Sequence, residues 1–168
     1  MFILCFLINF ISAECDLHPI VLNDYVVSDI IRNPKKFINN DHDDECVLDF
    51  MHRLSKKAIS SKEIDYVRAL DAICQVSDGY LSESFPSYSF DQFLKNSDCL
   101  FSYFENNSTV CLMDYIYPFI YNRVNYDSEG EEFKKRILDR INQYKKNHNS
   151  SKTLLFLNNL QEQITTNE

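Results

Sequence analysis

Glycine and proline are scarce in this chain: two of one and four of the other among 168 residues, against typical shares of about 7% and 5%. An all-β protein needs those residues at its many tight turns, so their scarcity points to helices joined by polar turns. No apolar run reaches the ~20 residues that a membrane-crossing helix requires. Also missing are the Gly-x-Ser-x-Gly elbow, the phosphate-binding glycine loop and the His-Glu-x-x-His helix, so no familiar hydrolase or nucleotide site is written here. Basic residues are in the minority: 17 Lys and Arg against 25 Asp and Glu leave a formal charge of −8. That balance disfavours a nucleic-acid partner, whose backbone demands positive charge.

The first thirteen residues carry no charged side chain. Met1 to Ile11 is apolar except for Asn9, and Ser12-Ala13 follows as a small-residue cleavage site. This is the form of a signal peptide, although the segment before the apolar run has no Lys or Arg. The expected arrangement is a signal peptide over 1–13 and a single helical domain over 14–168, secreted or periplasmic, with no transmembrane segment in the mature chain. Glu14 precedes Cys15 where lipoprotein processing needs a small side chain, so a lipid anchor is not expected.

Helical spacing of apolar residues runs through the rest of the chain. Ile20, Val21, Tyr25, Val27, Ile30 and Ile31 predict a first helix that Asn33-Pro34 stops. The acidic stretch Asp41 to Glu45 leads into a second helix carrying Val47, Leu48, Phe50, Met51 and Leu54. Ser60-Ser61-Lys62-Glu63 has capping-box form ahead of a third, with Tyr66, Ala69, Leu70, Ile73 and Val76 on one face and Gly79 as its left-handed stop. Residues 80–90 read as an irregular connection, followed by short helices near 90–95 and 98–104. Residues 110–124 are apolar on nearly every side and predict a central helix kinked at Pro118. A second capping box, Ser128 to Glu131, opens a helix striped by Phe133, Ile137, Leu138, Ile141 and Tyr144. A last helix carries Leu154, Leu157, Leu160 and Ile164. The expected fold is all-α, a bundle or short stack of αα-hairpins with about seven or eight helices, supported by disulfides.

Five cysteines follow the leader: Cys15, Cys46, Cys74, Cys99 and Cys111. None has the paired short spacing of a zinc or redox site, and an oxidising compartment converts such thiols to bridges. The short intervening loop favours Cys99–Cys111, with Cys15 bridged to Cys46 or Cys74. A cysteine nucleophile assisted by His42, His52 or His148 is the catalytic alternative. An EF-hand reading places Asn39, Asp41 and Asp43 correctly but meets Asp44 where glycine is needed and Phe50 where the closing glutamate belongs, so no metal site is expected. Asn106, Asn107 and Asn149 head Asn-x-Ser/Thr sequences that matter only in a eukaryotic secretory pathway.

Candidate contact residues are the tyrosines Tyr80 and Tyr88, which offer large rigid surfaces if exposed, and a basic cluster. Lys134, Lys135, Arg136 and Arg140, with Lys145 and Lys146, make one helix locally positive on an acidic protein, a docking surface for an acidic partner or lipid headgroups. These features point to an exported, non-enzymatic module that binds another protein as an inhibitor, immunity-like factor or envelope component, with no cofactor. The alternatives are a carrier holding a small apolar ligand between the central helix and residues 80–90, and a hydrolase with an unrecognised site.

Overall fold

A computed structural model describes residues 15–39 and 43–166. Segment 1–13, expected to be a signal peptide, and His42 lie outside the described residues. The described chain is all-helical, as the turn-poor composition predicts. In order, the α-helices are α1 (Asp24–Arg32), α2 (Asp44–Ser61), α3 (Ile64–Cys74), α4 (Gly79–Ser82), α5 (Phe85–Lys95), α6 (Ser97–Asn106), α7 (Cys111–Asp114), α8 (Ile116–Tyr126), α9 (Gly130–Asn147) and α10 (Ser151–Thr166), with a 3₁₀ turn at Pro34–Phe37. Among the described residues, eight of them have nine residues or more. They pack as a bundle around one continuous apolar core running from Leu17 to Ile164.

The N-terminal half is built on α3, which packs on both α1 and α2, with Val27, Ile30, Phe50, Leu54, Val67 and Leu70 buried among them. Asn23 Oδ1 accepts from Val26 N–H and Asp43 Oδ1 from Glu45 N–H, so both helix starts satisfy an orphan donor. Asp43 therefore serves as a helix cap, with Asp44 and Glu45 in the first turn. Arg53 clamps the preceding segment to α2, donating to Leu17 O at 2.6 Å and Ile20 O at 3.1 Å. The Cys15–Cys46 disulfide ties the same segment covalently. Helix α5 docks on α2 through a buried polar seam: Gln92 Nε2 donates to Ser55 O and Oγ, and Asn96 Nδ2 to Ala58 O and Gln92 Oε1. Helices α9 and α10 form the expected αα-hairpin.

Three expectations give way. Residues 80–90 are not an irregular connection but α4 and the start of α5, because Phe85, Phe90 and Phe93 are buried together with the polar Ser89 and Gln92. The 110–124 segment is not one kinked helix. It breaks at Tyr115 into α7 and α8, placing Pro118 in the first turn of α8, where its ring need not meet the carbonyl of Asp114 in a continuous helix. Its only fully buried α8 side chains are Ile116 and Ile120, so α8 is a flanking helix with Tyr117, Phe119, Tyr121 and Val124 half-exposed. Neither capping box forms: Ser60 ends α2 and bonds back to Lys57 O, while Glu129 precedes α9 with no side-chain cap.

What starts α9 is contact with the end of α8. A Cβ placed on Gly130 would lie 2.1 Å from Val124 O, far inside van der Waals contact with backbone that cannot swing aside. Gly130→Ala is expected to destabilise the protein by about 1–3 kcal/mol, since the two helix ends must separate to admit a methyl group. Urea denaturation checks this, and an unchanged midpoint would contradict the close approach.

Candidate functional site

Helices α5 and α9 both pack on α8, but they meet each other mainly through side chains. Phe90 of α5 stacks on Phe119 of α8 at 4.5 Å between ring centroids and approaches Phe133 of α9 at 5.6 Å. Deeper in, Tyr144 Oη donates to Phe93 O at 2.7 Å. Above these contacts the separation of α5 from α9 leaves a groove of about 620 Å³, open to solvent. Phe90 and Leu94 line one wall, Phe133 and Ile137 the other; each pair is one helical turn apart and presents a ridge.

Three guanidinium groups gather around this apolar floor: Arg123 from α8, and Arg136 and Arg140 one turn apart on α9. Arg123 lies over the Phe133 ring, 5.2 Å from its centroid, and pairs with Asp127. Arg140 covers Tyr144 at 5.8 Å and donates to Gln143 Oε1 at 3.1 Å. Arg136 is exposed and has no hydrogen-bond or ion-pair acceptor among the described residues. The Asp139 carboxylate is the one acid in the lining. The groove is thus locally positive on a protein of charge −8.

A second cleft, about 310 Å³, lies between α1 and α3 and is lined by Asp24, Arg32, Glu63, Asp65, Tyr66 and Arg68 among others. Both of its arginines are engaged by neighbours on their own helices. Arg68 pairs with Asp65 at 3.0 Å and Arg32 Nε donates to Ser28 O at 3.1 Å. Its three acids against two arginines leave it slightly acidic, like the molecule as a whole.

The basic residues named from sequence are divided by the fold. Arg136 and Arg140 reach the groove, Lys135 is exposed outside its lining, and Lys134 is buried. Lys145 bonds Gln161 of α10 and so holds the hairpin together. Tyr80 is 57% exposed on α4, whereas Tyr88 is half-buried and its hydroxyl donates to Leu48 O at 3.3 Å. Burial pushes the Tyr88 phenol above its ordinary value, so Tyr88 supports packing more than it offers a surface. Sequence reasoning missed Arg123, Phe90 and Leu94, because only the tertiary fold brings α5 and α8 beside α9.

The bridges are Cys15–Cys46 and Cys74–Cys111, leaving Cys99 free; the expected Cys99–Cys111 pair does not form. The reason is Asp71. Its Oδ1 accepts from Leu112 N–H at 3.0 Å, and Oδ2 accepts from Gln75 Nε2 at 2.7 Å and Tyr103 Oη at 3.2 Å. Asp71 thereby seats the N-terminus of α7 on α3, and Cys74, one turn along α3, lies 5.9 Å from Cys111 between Cα atoms. Burial pushes the Asp71 carboxyl above its usual range despite those donors. Tyr103 is pushed up to about 12 by burial and by the Asp71 carboxylate. Cys99 faces the other way, donating to Lys62 O at 3.1 Å, and burial pushes its thiol up, away from the reactive thiolate.

The histidines are dispersed. His18 lies 3.5 Å from Asp49, His52 rests against Tyr88, and His148 sits edge-on to Phe101 with Asp98 at 3.5 Å. No hydrogen bond or ring contact joins a histidine to Cys99 among the described residues. No set of three His, Cys, Asp or Glu side chains among them is arranged to hold a metal ion, and no described helix is long and apolar enough to cross a membrane. No family model, curated protein or solved structure matches the chain.

Proposed function

We propose that the chain is an exported, disulfide-supported helical module that binds another protein through the α5–α8–α9 face. The observation that carries this reading is the groove itself, open to solvent, with the edges of Phe90, Leu94, Phe133 and Ile137 at its floor and Arg123, Arg136 and Arg140 at its rim, on an otherwise acidic molecule. Aromatic floor plus arginine is the composition that dominates protein contacts energetically. Two disulfides agree with an oxidising compartment outside the cytosol. A small-molecule carrier needs an enclosed apolar chamber, and the openness and charged rim of this groove favour a protein contact instead.

A photo-crosslinking residue in place of Gln143, which lines the groove, tests the reading in the native compartment. The expected result is a discrete crosslinked protein from position 143 and none from a control at Asp65 in the α1–α3 cleft. Equal capture from both positions, or none from position 143, would sink it.

A further inference from the structure

Resting on the reading of this face as a protein contact, we infer that the α5–α8–α9 groove receives an acidic amphipathic helix of its partner, whose apolar face fills the floor while its carboxylates meet Arg136 and Arg140.

Shape comes first. Phe90 and Leu94 on α5, and Phe133 and Ile137 on α9, form two ridges, each of residues four apart. Their helices share a neighbour in α8 yet hold their backbones apart. A ridge of another helix fits such a trough, and an inserted helix reads it through apolar anchors at matching spacing.

Charge selects which helix. The molecule as a whole is acidic, so an acidic segment is repelled on average and drawn to locally basic places, of which this groove is one, with Phe90 and Phe133 in its lining. A basic segment experiences the reverse. Arg123 already has Asp127 as its counter-ion, whereas among the described residues Arg136 has no acceptor and Arg140 has only the neutral Gln143 amide, so both keep an unneutralised charge. Arg136 and Arg140, one turn apart on the rim, match carboxylates one turn apart on the incoming helix, and guanidinium groups bind carboxylates in two-pronged fashion.

The test uses the disulfide-bonded protein and a fluorescent peptide of about four helical turns, with Leu and Phe on one face and Glu on the other. Fluorescence anisotropy is expected to show saturable binding that weakens at least about tenfold when every Glu becomes Gln, and by a similar factor in the R136E/R140E variant. Both arginines are exposed, so an unchanged melting temperature confirms that the variant is folded. Equal binding of the Glu and Gln peptides would overturn the inference while leaving an apolar protein contact standing. Absence of peptide binding would also overturn it, whatever position 143 captures. Binding to phosphatidylserine vesicles that R136E/R140E abolishes, with no peptide binding, would assign the arginines to a lipid surface and overturn it too.

Discussion

Replacing Cys74 and Cys111 together by alanine is expected to lower the unfolding free energy by about 4 kcal/mol. The bridge closes a loop with a sequence separation of 37 residues, and the chain-entropy relation assigns a loop of that length about 4 kcal/mol of restriction in the unfolded state. For a domain of this size each kcal/mol moves the melting temperature by roughly 2–4 °C, so the midpoint should fall by about 8–16 °C. The Cys15–Cys46 pair, with a separation of 31, gives a similar entropic figure and serves as a comparison. Thermal denaturation under oxidising conditions checks both pairs. A double alanine variant that melts with the native protein would show that Asp71 alone holds α7 in place.

Asp71→Ala should lower stability by roughly 2–4 kcal/mol at neutral pH. The carboxylate is wholly buried and satisfies Leu112 N–H, the Gln75 amide and the Tyr103 hydroxyl. Alanine strands those donors, and each one left buried and unpaired costs about 1–3 kcal/mol, offset in part by removing a buried charge. Asp71→Asn should cost far less, because Asn keeps an acceptor for Leu112 while Gln75 can flip and the Tyr103 hydroxyl can rotate to accept.

The two substitutions also separate by pH. Burial raises the folded-state pKa of Asp71 above the 3.8 of the free side chain, so the folded protein keeps a proton that the unfolded chain releases. That contribution is fully present below pH 3.8 and is lost as pH rises through the raised folded value. The Asn variant lacks this titration. Its stability relative to the native protein should therefore improve from about pH 4 towards neutrality. Urea midpoints across that range check it; parallel curves would show that Asp71 does not titrate as its burial demands.

The residues that can be read in advance are those whose role is local. The α9 stripe Phe133, Ile137, Ile141 and Tyr144 is one-sided and flanked by charge, so its helix and buried face follow directly from spacing. The stop at Asn33-Pro34 is equally local. The start of α5, ahead of the expected helix near 90–95, is hidden because buried Ser89 interrupts its apolar pattern; the signal that marks it is Pro86, placed in a helix's first turn. The pairing of Cys74 with Cys111 depends on Asp71 meeting Leu112 across 41 positions, a contact no spacing rule anticipates. For the groove, Arg136 and Arg140 declare themselves as a basic pair one turn apart. Arg123 and the Phe90–Leu94 wall become partners only through docking on α8.

Both disulfides close before α8 begins, so the covalent framework ends at Cys111. Helix α5 lies inside the Cys74–Cys111 ring, whereas α8, α9 and α10 carry no cross-link and are held by packing and hydrogen bonds. The groove therefore straddles a seam between a locked and an unlocked part of the molecule. One wall is cross-linked, and the arginine-bearing walls are joined to it only by non-covalent contacts such as Tyr144 on Phe93 and Phe101. A partner seated on such a seam therefore meets one wall whose chain is cross-linked and two whose chain is not.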